Sequence, residues 1–165
     1  MTLSDRIVLM QAGRIRQSGS PADLYRRPVS ADVAAFFGSP NLMDADVVAC
    51  SASGTQHWAT VRIGPWTGEC RAARLFTQGQ QVQVVARPED IELRDAGAPS
   101  GTGDLSLPAI VTDSLFRGGR ATVTIAAGGL TLKAEVPALR TPPTGAAVQA
   151  VIPRDAMWCV GRDPE

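Results

Sequence analysis

Side chains that could do chemistry are few and scattered. His57 is the single histidine, Cys50, Cys70 and Cys159 are the only cysteines, and Lys133 is the lone lysine. A catalytic histidine needs a nucleophile or a second ligand set by a motif, and His57, just before Trp58 at the start of a strand pattern, has neither. We read it as an ordinary strand-end residue. The cysteines are odd in number and form no C-x-x-C pair, which argues against a disulfide framework and against a zinc site. They read as small apolar side chains in a reducing compartment. A phosphate-binding loop G-x-x-x-x-G-K-[ST] needs a lysine after glycines, yet Lys133 sits between Leu132 and Ala134 in a strand pattern. No G-x-G-x-x-G follows a strand either. No residue is therefore assigned as catalytic, cofactor-binding or metal-ligating.

The densest charge cluster is Arg87-Pro88-Glu89-Asp90, followed by Ile91. Pro88 ends ladder pairing, so the charges project from a strand end, where they could contact a partner or form an ion-pair site. The alternative is a solvated turn in which Arg87 pairs locally, and we favour it. Phe116-Arg117-Gly118-Gly119-Arg120 reads as a Gly-Gly hairpin with solvated arginines rather than an anion-binding turn. Trp58, Trp66 and Trp158 read as core or interface anchors rather than a ligand surface.

Three regions must position these residues. In residues 1–40 the run Ile7-Val8-Leu9-Met10 has the pattern of a strand buried on both faces. It meets a turn at Gln11-Ala12-Gly13 and then the alternating strand Arg14–Gln17. Ser20-Pro21-Ala22-Asp23 is a helix start, with a capping hydroxyl, a proline at the first position and an acid where the dipole favours it. A second helix starts at Ser30 and places Val33, Phe36 and Phe37 on one face; Gly38 and Pro40 stop it. From residue 41 the period becomes two. Strand candidates at Val47-Val48, Trp58–Ile63, Val82–Val85, Ile110-Val111, Ala121–Ile125, Leu130–Leu132, Glu135-Val136 and Val148–Ile152 alternate with Gly, Pro, Ser and Asp turns, as in a barrel or sandwich.

The β region also repeats itself. Ala59-Thr60-Val61-Arg62-Ile63 returns as Ala121-Thr122-Val123-Thr124-Ile125, Gly79-x-x-Val82-Gln83 as Gly145-x-x-Val148-Gln149, and Pro88-Glu89-Asp90 more faintly as Pro153-Arg154-Asp155. Three echoes in the same order indicate two copies of one motif, 41–94 and 105–165. The small, polar residues 95–104 between them read as a flexible loop.

Composition excludes other classes. Sixteen basic and sixteen acidic residues cancel, and no basic stripe is interleaved with aromatics, which disfavours nucleic acid. No apolar run is long enough for a membrane span, so direct membrane insertion is not expected.

The first forty residues, in order, resemble a known family. L-S-D-R-I-V-L-M-x-x-G-R-I-x-Q-x-G-x-P-x-x-L-Y-x-x-P, followed by V-A-x-F-x-G-S-P-N, covers Leu3 to Asn41. It looks like the segment after the switch histidine in ATP-binding subunits of ABC importers, in the branch serving maltose, polyamines, ferric iron and sulfate. Members of that branch carry a regulatory region of paired OB-like folds, the TOBE domains, marked by R-P-E-[DH]-I. Arg87, Pro88, Glu89, Asp90 and Ile91 fit that marker at every position.

The resemblance implies a mainly β chain: a tandem OB-like (TOBE) region, preceded by a β-hairpin and two short helices from the end of an α/β ATPase domain. It implies that the chain is a C-terminal part, with Met1 an internal methionine of a longer protein. The parent would hydrolyse ATP with Mg, whereas this part, lacking the nucleotide motifs, would hold no cofactor. Expected partners are a second copy of the chain in a homodimer and, for the parent, integral membrane permease subunits that hold it at the cytoplasmic face of the bacterial plasma membrane. An alternative function is a small-ligand domain for an oxyanion or metal. One structural expectation is sharp: the Ile7–Met10 hairpin should leave one apolar face uncovered by these 165 residues.

Overall fold

The structure, a computed structural model, describes residues 5–162. The start at Met1 and the Leu3-Ser4 of the N-terminal pattern lie outside the described residues. Strands β1 (Ile7–Gln11) and β2 (Arg14–Gly19) pair antiparallel around Ala12-Gly13, both in the left-handed region at φ 50° and 75°. Such a two-residue turn matches the twist of the hairpin it joins. Ser20 then caps α1 (Pro21–Arg26), accepting from Asp23 N at 3.1 Å, and Ser30 caps α2 (Ala31–Phe36), accepting from Val33 N at 3.4 Å.

Leu9, Leu24 and Val33 close a small core under the hairpin, with Ile7 and Phe37 against it. On its other face Val8, Met10 and Ile15 are 50%, 60% and 64% exposed, so one apolar face is uncovered, as expected. The expected Val33-Phe36-Phe37 stripe needs correction: Phe36 is exposed and only edges onto Phe37, with ring centroids 5.2 Å apart. Ala34 faces inward instead, against Val85 and Val160, because the six-residue α2 turns a small residue to the barrel wall.

The remaining chain is β: β3 (Asn41–Ser53), β4 (Gln56–Ile63), β5 (Trp66–Ala72), β6 (Gln81–Ala86), β7 (Glu92–Asp95), β8 (Leu105–Arg117), β9 (Arg120–Ala127), β10 (Leu130–Pro137), β11 (Ala147–Ile152) and β12 (Met157–Gly161). Strands in the order β12-β5-β4-β3-β6 close a barrel, and β10-β9-β8-β11-β7 form a second five-stranded sheet. The internal repeat is visible in three dimensions. Both long strands, β3 and β8, carry a bulge, after Val47 and after Val111. At each bulge the same glycine bond recurs: Gly79 N donates to Val47 O at 2.7 Å, and Gly145 N to Val111 O at 2.8 Å.

The two copies trade their last strands. β7 leaves the first copy and pairs antiparallel with β11, while β12 leaves the second and pairs with β6 and β5. The alternating inward residues of both sheets, among them Val61, Ile63, Val84, Leu105, Leu107, Val123, Ile125 and Ile152, form one continuous core. Each such aliphatic contributes about 2 kcal/mol on burial, and the shared core offsets the small size of each copy. Residues 96–104 fold as turns pinned to β5 and β7: Glu69 N donates to Gly103 O at 2.8 Å, and Arg94 Nη1 to Pro99 O at 2.7 Å.

Candidate functional site

β6 carries the chain out of the barrel core and delivers Arg87 to the gap beneath both helices. Pro88 cannot continue the ladder, so Pro88–Asp90 make one 3-10 turn, and buried Ile91 closes it against the core. Arg87 is only 5% exposed. Its Nη1 donates to Ala34 O at 3.1 Å, its Nη2 donates to Tyr25 O at 2.9 Å, and its guanidinium carbon lies 3.9 Å from the Tyr25 ring centroid. Tyr25 and Ala34 are in the last turns of α1 and α2, where carbonyls lack partners within the helix. One cation thus caps the negative ends of two helices at once, a contact that helix dipoles favour.

This corrects the solvated-turn expectation for Arg87. The residue is buried, and among the described residues no carboxylate lies within ion-pair distance of it. A strand end reads as solvent-facing in sequence, but here the strand ends beneath the helices. Glu89 stays exposed and accepts from the Tyr25 hydroxyl instead.

Burial and the Glu89 hydrogen bond push the Tyr25 phenol up to about 12. Burial and neighbouring Glu89 raise the Asp90 carboxyl, and burial lowers the Arg87 guanidinium. Because the folded value for Tyr25 lies above the ordinary 10.0, its contribution to stability is fully present below pH 10 and is lost as pH rises through about 12. Tyr25 is the only tyrosine, so phenolate absorbance reads it alone. Titration near 12 in the folded chain is expected, and a fall toward the ordinary value in Glu89→Gln; an ordinary midpoint in both would refute the contact.

Two further residues, Trp158 and Gln17, lock the joint, and a third, Asn41, ties β3 to β10. Asn41, 6% exposed at the start of β3, donates from Nδ2 to Lys133 O at 2.9 Å and accepts at Oδ1 from Lys133 N at 2.7 Å. Trp158 on β12 donates from Nε1 to Pro28 O at 2.8 Å, in the linker between the helices. Gln17 on β2 spans the same linker, donating to Arg27 O at 2.9 Å and accepting from Val29 N at 3.0 Å. Sequence reasoning missed Tyr25, Asn41 and Gln17, whose partners are far away in the chain. For Trp158 the need of a half-buried indole N–H for an acceptor was a signal.

Apart from Trp158, the other singled-out residues do not converge here. Trp58 and Trp158 flank Arg71 across β4, β5 and β12, whereas Trp66 packs on Gly128 and joins the two copies. Phe116 at the β8–β9 tip is 71% exposed, and Arg120 pairs with Glu135 at 3.3 Å. Cys70 and Cys159 are buried in the barrel and Cys50 is half-buried. The Cys159 thiol beside it and burial together hold the Cys70 thiol well above its ordinary range. Only the thiolate is nucleophilic. A thiol reagent such as an aromatic disulfide is therefore expected to modify at most Cys50 in the native chain, and all three cysteines after unfolding. Rapid native labelling of Cys70 would contradict its placement.

Comparison with known proteins gives the same outline. The family model described as TOBE domain matches residues 84–160. The spermidine/putrescine import ATP-binding protein PotA of Frankia alni is 36% identical over 135 residues, covering 78% of this chain and 29% of that protein. The protein of the same name from Methylococcus capsulatus is 35% identical over 118 residues, covering 72% of this chain and 29% of its own length. The chain thus spans less than a third of these relatives. Among solved structures, the cytoplasmic molybdate-binding protein ModG superposes with a TM-score of 0.64 at 18% identity, over 73% of this chain and 95% of that one, a likeness of fold.

Proposed function

We propose that this chain, which carries a TOBE domain and belongs with the C-terminal regulatory part of ABC importer ATP-binding subunits, is the regulatory and dimerising region of such a subunit and is not catalytic by itself. In the parent, nucleotide and magnesium would be handled by the ATPase portion, and membrane permease subunits would hold the protein at the cytoplasmic face of the membrane. The relatives' names make polyamines the favoured solute class.

The observation that carries this reading is Arg87 capping both helices. A rigid joint lets movement of the hairpin and helices be passed to the barrels, and a regulatory region must be coupled in that way. The uncovered Val8-Met10-Ile15 face is where the rest of an ATPase sheet would lie. Two measurements test the reading. Sedimentation of the purified chain should show concentration-dependent self-association, and calorimetry should show no saturable binding of ATP with Mg. A monomer at every concentration, or saturable nucleotide binding, would overturn the corresponding half. A second reading, a small-ligand domain, is favoured by the fold shared with the molybdate-binding protein ModG.

A further inference from the structure

Two adjoining hollows open where α1 ends against the first barrel. The larger, about 290 Å³, is bordered by Arg26, Arg27, Arg71 and Arg87, with Trp158 alongside. The smaller, about 190 Å³, shares Arg27, Arg71 and Trp158 and adds Thr55, Gln56 and His57; no acidic residue lines it. The Trp158–Pro28 hydrogen bond fixes the linker next to Arg27, and so sets Arg27 over the barrel rim.

The charges there do not balance. Asp155 and Asp90 also border the larger hollow, but Asp155 is held by Arg71 at 3.0 Å and Asp90 is drawn to Arg26 and Arg87. The Arg27 guanidinium makes no hydrogen bond or ion pair among the described residues. Arg87 is buried without a carboxylate in ion-pair contact, and its Nε has no acceptor. A buried cation with no carboxylate in direct contact is only partly compensated by Glu89 and Asp90, and an anion arriving nearby adds to that compensation.

We propose that these hollows form a binding site for a phosphate-class oxyanion, free or as a monoester. Planar guanidiniums pair with such an anion through parallel N–H bonds. Arg27 from the end of α1, the Nη1 of Arg71 on β5, whose Nε and Nη2 already donate to Asp155, and the hydroxyl, amide and imidazole of Thr55, Gln56 and His57 from β4 and the turn before it supply donors from separate elements. The smaller hollow takes the phosphate and the larger one the remainder of a monoester. A bound anion bridges the helical segment to the barrel, which makes the joint the place where a metabolite tightens or loosens coupling. The site rests on the joint's geometry and does not depend on self-association.

The full chain is titrated with inorganic phosphate and, in parallel, with adenosine monophosphate, at fixed pH and with chloride holding ionic strength constant. The ring C–H signals of His57, unambiguous for a single histidine, and the indole N–H of Trp158 are followed by NMR. Saturable shifts of both signals are expected, and Arg27→Gln should weaken binding about tenfold or more, the loss of a charge-assisted pair. Arg62→Gln, altering an exposed residue paired with Asp46 on the barrel wall, should bind like the parent sequence. Saturation by phosphate identifies the free anion, and saturation by the nucleotide alone a monoester. No saturating shift in either arm, or equal affinity in the Arg27 and Arg62 variants, overturns the site. A chain that self-associates yet shows no such shift would leave the regulatory reading standing.

Discussion

Arg87→Leu is expected to loosen the helical segment from the barrel at a cost of about 3 kcal/mol, two hydrogen bonds from a charged donor plus a stacked cation. The carbonyls of Tyr25 and Ala34 would face an apolar side chain, and the Tyr25 ring would lose its cation. Arg87→Lys keeps the charge but has no planar fork to reach two carbonyls 3.1 and 2.9 Å away, so it should recover only part of the loss. Urea unfolding gives the magnitude, and limited proteolysis gives the place: the leucine variant should be cut faster between residues 27 and 40 while the β region survives. Equal cleavage of variant and parent sequence would show that the clamp does not hold the joint.

Gly128→Ala should be the more damaging change to the β region, by about 3 kcal/mol from overpacking and a left-handed backbone. At φ +49° Gly128 closes the β9–β10 turn directly over Trp66, and a Cβ there would overlap the indole. The ring would have to move, opening the contact between the two copies. Neighbouring Gly129 provides the control: its φ is +92°, but nothing lies within 4 Å of a Cβ, so Gly129→Ala should cost only the backbone penalty, about 1 kcal/mol. Equal losses at both positions, measured by thermal or urea unfolding, would mean that the Trp66 contact adds nothing.

Much of the fold could be read from local pattern. The hairpin turn, both serine caps and the strands rich in valine, isoleucine and threonine appear where alternation and capping chemistry place them. Three strands escaped. β5 (WTGECRA) and β12 (MWCVG) each hold a single β-branched residue beside glycine and cysteine, and β7 has only four residues, so their pairing comes from neighbours more than from propensity. β10, read as two fragments, is continuous because Lys133, between them, is held by Asn41.

By itself the sequence determined a mainly β chain with a duplicated motif, the family marker at Arg87–Ile91, the lack of nucleotide-binding motifs, and a hairpin with an unpartnered apolar side. These follow from periodicity and residue type, which are local. Only the tertiary structure decided that the copies exchange β7 and β12, that Arg87 is buried beneath two helices rather than solvated, and that Arg87 and Arg27 border one joint with no carboxylate in ion-pair contact with either. Those outcomes depend on which groups a closed barrel brings together from residues tens of positions apart, and no local preference encodes that.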